Sequence, residues 1–517
     1  MTIAGPSVNN LVLAIGAAWL GQDASGWDLE AGRYYCRRAN RLTKGSPMAR
    51  DMFDSLRDIN ATGRLAPIHP SATLVGFGVN MSDHHREGVI AIPDAERGGH
   101  FGCLGTTGIG KTRLVESIVE QDIRKGYSVV IMDPKGDIDL FSKIAQVAAE
   151  SGRLDELMFL NSIFPDKSMY IDPLADFYME DELVNHVVSG IKAKDDFYIS
   201  IAHEVSQVIV AGLIKLIRSQ GERVKISFSD IYDRLGFSDL EQFKEALRAI
   251  PGTDEVCRRI EKICHGPGVA EHFHKISASL RTMLSALTFG NVGRVIGKAR
   301  TNEFVTRLQE GKRVIMVVHT GSLLTPRASV IFSRVFVSMI QSLVGRFFAS
   351  GLKLTPPLCL HIDEGHNVLY TGIQELFNKA RGANVWINFY TQSNAQISVE
   401  VGDDMGRSIV DNINSWLYFR VNHAETAQHI EDSSPLVQRP EPIISVAGHV
   451  TLRMSDQRLV LRDRVLHLMS RWFYMRTQGH WFKGKTLDSS ASYVHIKFPI
   501  IGPGKAENRR TQADNAM

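Results

Sequence analysis

The chain has 517 residues, 59 Lys and Arg against 56 Asp and Glu, and a formal net charge of +3, with 44% hydrophobic and 22% charged residues. That length exceeds one ordinary domain and supplies ample core, while the near-balance of charge excludes a molecule-wide polyanion binder, so any nucleic-acid surface must be local. The five cysteines, Cys36, Cys103, Cys257, Cys264 and Cys359, are scattered and form no C-x-x-C pair, which argues for reduced thiols in a cytoplasmic protein and against a disulfide scaffold or zinc site.

Residues 11–20 form one apolar run with no basic residue ahead of it. It is too short to span a bilayer, which takes about twenty residues, and it makes a poor signal peptide, so a buried or interfacial helix is expected. Residues 26–60 have a helical pattern in which Arg33, Arg37, Arg41 and Lys44 make one basic stripe. Such a stripe is a solvated helix face or a surface for anionic lipid or a partner protein. Residues 73–92 suggest a β-hairpin, with Val89, Ile90, Ala91 and Ile92 as a strand.

A strand over 100–104 then runs into Gly105-Thr106-Thr107-Gly108-Ile109-Gly110-Lys111-Thr112, followed by a helix over 111–125 that Gly126 is placed to end. The eight residues fit G-x-x-x-x-G-K-[ST] in the strand–loop–helix context of a phosphate-binding loop. Glycine lets successive N–H groups face one anion, and the helix N-terminus adds its positive end. Lys111 would reach the β- and γ-phosphates of a nucleotide, and the Thr112 hydroxyl would ligate Mg²⁺.

Residues 127–132 read as a strand of the kind buried in a parallel sheet, ending in Asp133-Pro134-Lys135-Gly136-Asp137. A helix over 138–150 and a strand over 157–161 follow, and this alternation indicates a parallel α/β sheet. From about 178 to 305 helical periodicity takes over, with local basic clusters at Lys215, Arg218, Arg223 and Lys225 and at Arg258, Arg259 and Lys262. The α/β pattern resumes with a strand over 313–318 and a helix over 327–349. Leu358–Ile362 then runs into Asp363-Glu364, residues 385–389 into Thr391-Gln392-Ser393, and residues 416–421 complete the series. The expected organisation is an N-terminal helical segment (1–72), an NTPase core in two parts (73–177 and 306–500), an all-α insertion domain (178–305) and a disordered tail (501–517).

An apolar strand ending in two acids fits the second half of a nucleotide site. Asp363 would hold Mg²⁺ through water and Glu364 would polarise the attacking water. Gln392, after the next strand, could sense the γ-phosphate or that water, with a capping or surface glutamine as the plain alternative. Arg381 could act as an arginine finger on a neighbouring subunit's phosphate, or simply complement a helix C-terminus. A rival reading of His361, Asp363 and His366 as metal ligands lacks the H-E-x-x-H spacing.

The order of these motifs resembles the type IV coupling proteins of the TraG/TraD family, the ring ATPases of bacterial conjugation. Gly105-Thr106-Thr107-Gly108-Ile109-Gly110-Lys111-Thr112 is similar to the family's G-[TA]-T-G-x-G-K-T. Asp133-Pro134-Lys135-Gly136-Asp137 is similar to its D-P-[KN]-G-[DE] loop. Ile362-Asp363-Glu364, Lys379-Ala380-Arg381 and Thr391-Gln392-Ser393 follow in the family's order, and Ile409-Val410-Asp411-Asn412 and Leu417-Tyr418-Phe419-Arg420 look like its late core strand. The resemblance covers residues 75–500. It implies an α/β RecA-like P-loop NTPase core with a mainly parallel sheet plus an inserted all-α domain, assembled as a homo-hexamer. ATP and Mg²⁺ would drive single-stranded DNA with its relaxase, or a secreted protein substrate, to a type IV secretion channel. The family begins with two membrane-spanning helices, and this chain shows none by length, so a separate membrane partner or the N-terminal segment would bring it to the inner membrane. Two other readings stand beside this one: a HerA/FtsK-like DNA pump or secretion-assembly ATPase, and a non-hydrolysing nucleotide-binding adaptor.

Overall fold

The computed structural model describes residues 68–83, 87–192, 196–265, 269–297, 299, 301–444, 450–489, 492–496 and 498. The N-terminal apolar run, the basic stripe and the tail expected to be disordered lie outside them.

β1 (Ala72–Asn80) and β2 (Glu87–Pro93) form the expected hairpin, and α1 (Asp94–Arg97) turns the chain into β3 (Phe101–Leu104). The glycine loop leads to α2 (Lys111–Arg124), then β4 (Ser128–Asp133), α3 (Ile138–Glu150) and β5 (Leu157–Asn161). Gly126 ends α2 as expected. It sits at φ +79°, its N–H donates to the Ile123 carbonyl, and the Tyr127 N–H reaches back to Asp122. This is the Schellman pattern of a left-handed C-terminal glycine. At the start of α3 the Asp137 carboxylate accepts from the N–H groups of Asp139 and Leu140, so the 133–137 loop doubles as a helix cap.

The next segment is helical: α4 (Glu180–Ser189), α5 (Asp196–Ser219), α6 (Phe228–Tyr232), α7 (Phe237–Arg248), α8 (Asp254–Cys264), α9 (Val269–Thr288), α10 (Gly290–Val295) and α11 (Glu303–Gln309). The sheet resumes with β6 (Ile315–His319), α12 (Pro326–Ala349), β7 (Leu358–Ile362), α13 (Gln374–Lys379), β8 (Val385–Thr391), α14 (Asn394–Val401), α15 (Asp403–Asp411) and β9 (Ser415–Tyr418). α16 (Ala424–Asp432), β10 (Leu436–Ile444), β11 (Val450–Arg458), α17 (Arg462–Leu466), β12 (Trp472–Thr477) and β13 (His480–Thr486) complete the chain.

An eleven-stranded sheet runs in the order β2-β1-β13-β12-β9-β3-β8-β7-β4-β6-β5, and β10 and β11 pair separately. From β9 to β5 every pairing is parallel, while β12 joins β9 antiparallel and opens the antiparallel edge. The expected mainly parallel α/β core is therefore present, with four antiparallel strands added on one side. Alternation along each parallel strand divides the core in two. Val130 and Met132 of β4 face α12 and the helical segment, whereas Val129 and Ile131 face α2 and α3. Leu183, Val187, Met283 and Leu284 of the helical segment share one buried cluster with Phe332, Val335 and Met339 of α12.

One expectation needs correction. Two helices, Phe197–Ser219 and α12, are long and apolar enough to cross a membrane by length and composition. The most apolar window of α12 is 72% buried inside the protein and that of Phe197–Ser219 is 50% buried. In α12 the apolar content serves the core between sheet and helices, which raises hydropathy without any need for lipid.

Candidate functional site

The site is built by strand order. β8 lies between β3 and β7, so three consecutive strands of the sheet deliver three motifs to the same edge. Leu104 pairs with Thr391 and Ile362 with Phe389 in parallel register, so the 105–112 loop, Asp363-Glu364 and Gln392 all emerge at the strands' C-terminal ends. That edge is where α/β sheets bind ligands.

The phosphate-type loop is anchored at its base. The Gly105 N–H donates to the Thr391 carbonyl at 3.3 Å and the Thr106 N–H to the Arg420 carbonyl at 2.9 Å. Among the described residues, no backbone carbonyl accepts from the N–H groups of Thr107, Gly108, Ile109 or Gly110. Gly110 adopts φ +117° and caps α2, and a Cβ there would sit 3.1 Å from Arg471 Cγ, so only glycine suits the position. Lys111 opens α2, is 7% exposed and donates to the Gly105 carbonyl at 2.5 Å. Burial lowers its pKa from the usual lysine value, against the pull of Cys103, Glu364 and Asp363. Thr112 is exposed in the first helical turn.

Facing this loop, the Asp363 N–H donates to the Met132 carbonyl at 3.0 Å, which extends the β4–β7 pairing by one residue. Glu364 turns into the left-handed region at φ +46°. Its carboxylate accepts from the Gln392 amide at 3.3 and 3.2 Å. Burial would raise the Glu364 pKa, but Lys135, Lys111 and Gln392 hold it below the ordinary glutamate value. Asp363 is raised, first by burial and then by the nearby charges of Glu364 and Asp133, with Lys135 opposing. The structure thus brings Lys111, Asp363, Glu364 and Gln392 to one edge.

Arg381 is not brought there. It lies in the helical turn Ala380–Ala383 ahead of β8, beside Gly98, at the N-terminal end of the strands. Within one chain the length of β8 separates it from the glycine loop.

Several residues at the edge have no counterpart among the expected site residues. Lys135 places its ammonium 2.6 Å from Glu364 Oε1 and 3.3 Å from Asp363 Oδ2. Asp133, 1% exposed, accepts from the N–H groups of Lys135 and Asp137 and so shapes the loop that carries Lys135. Arg471 and Ser470 both donate to the Ile109 carbonyl, and Asn422 donates to Thr106 Oγ1 at 3.3 Å. The motif similarity of 133–137 pointed to the first of these loops. Nothing local in the sequence marks Arg471, which lies 361 residues beyond Gly110.

Beneath the edge, the same strands carry a sealed polar cluster. Arg97 and Asp122, 2% and 0% exposed, form a bidentate ion pair. Asp122 also accepts from His361 Nε2 at 3.0 Å, and Tyr390 donates its hydroxyl to His361 Nδ1 at 3.2 Å. Both ring nitrogens of His361 are therefore engaged away from Asp363 and His366, which removes the metal-ligand reading of those three residues.

Comparison with known proteins adds three findings. A family model described as the TraM recognition site of TraD and TraG matches residues 357–433, and one described as the central domain of the helicase HerA matches residues 97–233. Among solved structures, the unbound monoclinic form of the bacterial conjugative coupling protein TrwBdeltaN70 superposes with TM-score 0.59 at 14% identity, over 79% of this chain and 89% of that chain. The plasmid coupling protein TrwB with the GTP analogue GDPNP gives TM-score 0.58 at 16% identity, over 78% and 89%. TrwB with ADP and Mg²⁺ gives 0.54 at 16%, over 80% and 89%. No curated protein matches the sequence. The structural likeness establishes the RecA-like NTPase fold, and together with the two matched segments it bears out the resemblance of this chain to the type IV coupling proteins of the TraG/TraD family.

Proposed function

We propose that the protein is an ATP-hydrolysing coupling protein, which delivers DNA with its relaxase, or a protein substrate, to a type IV secretion channel. The observation that carries the reading is the convergence of Lys111, Glu364 and Gln392 from β3, β7 and β8 on one sheet edge. The donor set fits a nucleotide. Among the described residues the N–H groups of Thr107 to Gly110 have no backbone carbonyl partner, and with the buried Lys111 ammonium at the start of a helix they would receive a polyphosphate. The plasmid coupling protein TrwB, of similar fold, is described in complex with ADP and Mg²⁺ and with GDPNP.

When bound, Mg²⁺ would neutralise charge between the β- and γ-phosphates. Thr112 and Asp363 would hold it. Residues Gly105 to Gly110 would cradle the phosphates through the backbone, and Lys111 would pair with them. Glu364 would orient and polarise the attacking water, with Gln392 beside it. Arg381 would complete a neighbouring subunit's site, because its own site lies at the opposite end of β8; this requires a ring, and a homo-hexamer fits the family. The proposed seat is the cytoplasmic face of the inner membrane, reached through a separate membrane partner, with the helical segment turned towards incoming substrate.

The HerA match over residues 97–233 favours one second reading, a DNA-pumping ATPase outside secretion. The TraD and TraG match over 357–433 favours coupling.

The test is steady-state ATP hydrolysis with and without single-stranded DNA, on wild type and Lys111→Ala. The expected result is Mg²⁺-dependent hydrolysis that rises with DNA and with protein concentration and is lost in the variant. Hydrolysis equal in the variant would sink the role of Lys111. ATP bound but never turned over would point to a non-hydrolysing adaptor.

A further inference from the structure

Glu364 is held in an unusual way. A glutamate at φ +46° adopts a conformation that side-chain-bearing residues rarely use, so its surroundings must impose it. Its side chain is 8% exposed, and Lys135 supplies its shortest charged contact, 2.6 Å at Oε1. Lys135 belongs to neither the phosphate loop nor the acidic strand end. It arrives from the loop after β4, the neighbour of β7 on the side away from β8.

That loop is built to keep Lys135 in place. The buried Asp133 carboxylate takes the Lys135 N–H at 3.0 Å and the Asp137 N–H at 2.5 Å. On the outer side the Pro134 carbonyl accepts the Ser322 N–H at 2.7 Å. The backbone beneath the lysine is thus fixed from both sides, while the lysine side chain remains 43% exposed.

An ion pair between two exposed groups contributes little. Here the acceptor is buried. From the hydrolysis reading above, on which this step rests, we infer that Lys135 is a positioning residue. Its ammonium fixes the Glu364 carboxylate from one side while Gln392 fixes it from the other, so that water meets Glu364 at a set angle. In this role Lys135 acts through Glu364, its closer partner, rather than through Asp363 Oδ2 at 3.3 Å, and it touches neither nucleotide nor water.

The test uses the full chain and separates kcat from KM. Lys135→Ala is expected to lower kcat about tenfold to a hundredfold, the scale of a displaced catalytic group, with KM for ATP unchanged. Lys135→Arg is expected to restore most of the rate. Binding of a fluorescent ADP analogue with wild-type affinity shows that each variant is folded. The sharper arm is Lys135→Ala in a Glu364→Gln background, read by single-turnover hydrolysis. A residue acting only through Glu364 adds no further loss there, whereas an independent contribution multiplies. Wild-type kcat in Lys135→Ala, a change confined to KM, or a multiplied loss in the double variant would each overturn the inference. If Lys111→Ala abolishes hydrolysis while Lys135→Ala leaves it intact, the hydrolysis reading stands and this inference falls. A wild-type protein without ATPase activity overturns both.

Discussion

His361 and Glu364 lie three residues apart, one inside β7 and the other just past its end, and each sits in a cluster of acids and bases. Around His361 the groups are sealed: Arg97, Asp122 and Tyr390 pair among themselves. Around Glu364 the groups reach solvent: Lys135 is 43% exposed, and among the described residues no backbone carbonyl accepts from the N–H groups of Thr107 to Gly110 in the adjoining glycine loop. Charge alone does not separate a catalytic cluster from a structural one. Closure does: a network whose members satisfy one another holds strands together, and one left open at a sheet edge is available to a ligand.

Exchanging one acid in each cluster breaks the comparison most strongly. Glu364→Gln is expected to lower kcat by about 10²–10⁴, the range for loss of a positioned base, while leaving thermal stability near wild type. Asp122→Ala is expected to do the reverse. It leaves the Arg97 guanidinium buried without its partner, which costs roughly 3–5 kcal/mol of stability. Paired ATPase and urea-unfolding measurements on both variants check this. A stable Asp122→Ala protein, or a Glu364→Gln protein with full turnover, would remove the distinction.

A second difference appears as pH falls. His100 is buried where β3 begins, and the Ile387 N–H donates to its Nδ1, which leaves Nε2–H to donate to the Phe377 carbonyl. A second proton would face a donor. Burial lowers its pKa to about 4, and burial lowers that of His186, packed against Ser338 of α12, to about 3. Both fold as neutral rings, whereas unfolded histidine titrates near 6.5. The unfolded state therefore binds more protons below that value. The stabilisation is fully present above about pH 6.5 and falls towards pH 4, by up to about 1.4 kcal/mol per pH unit for each ring. Urea midpoints at about pH 7.5 and about pH 5 should differ accordingly, and His100→Gln should flatten part of the slope. Equal midpoints would contradict buried neutral histidines.

The two clusters were unequally legible in the sequence. The glycine loop, Asp363-Glu364 and Gln392 follow patterns written within a dozen residues, where strand, loop and helix periodicity set the context. β5 and β7 fall on the expected residues for the same reason. Lys135 was visible only as part of a similar loop, because its contact with Glu364 joins residues 229 apart. Arg97 and Asp122 belong to no motif, and His361 stands out only as a rival metal ligand with Asp363 and His366. Only the order β3-β8-β7 and the packing of α2 against that part of the sheet bring Arg97, Asp122 and His361 together. Helix α12 shows the opposite failure. Its composition suits lipid as well as core, and only the elements around it decide between them.

The smallest expected effect concerns the loop that backs Lys135. Ser322 is the second residue of a turn in which the Leu324 and Thr325 N–H groups return to the Gly321 carbonyl, a position where proline is tolerated. Ser322→Pro deletes a single N–H, the one that the Pro134 carbonyl accepts. The loss should cost about 1 kcal/mol of stability. Within that turn Leu323 and Leu324 are 85% and 60% exposed, so the change sits at the surface. Basal hydrolysis should stay at the wild-type rate, since Asp133 still anchors Lys135 from within. A kcat well below wild type in a folded Ser322→Pro protein would instead extend the proposed site from β3, β8, β7 and β4 to this outer loop.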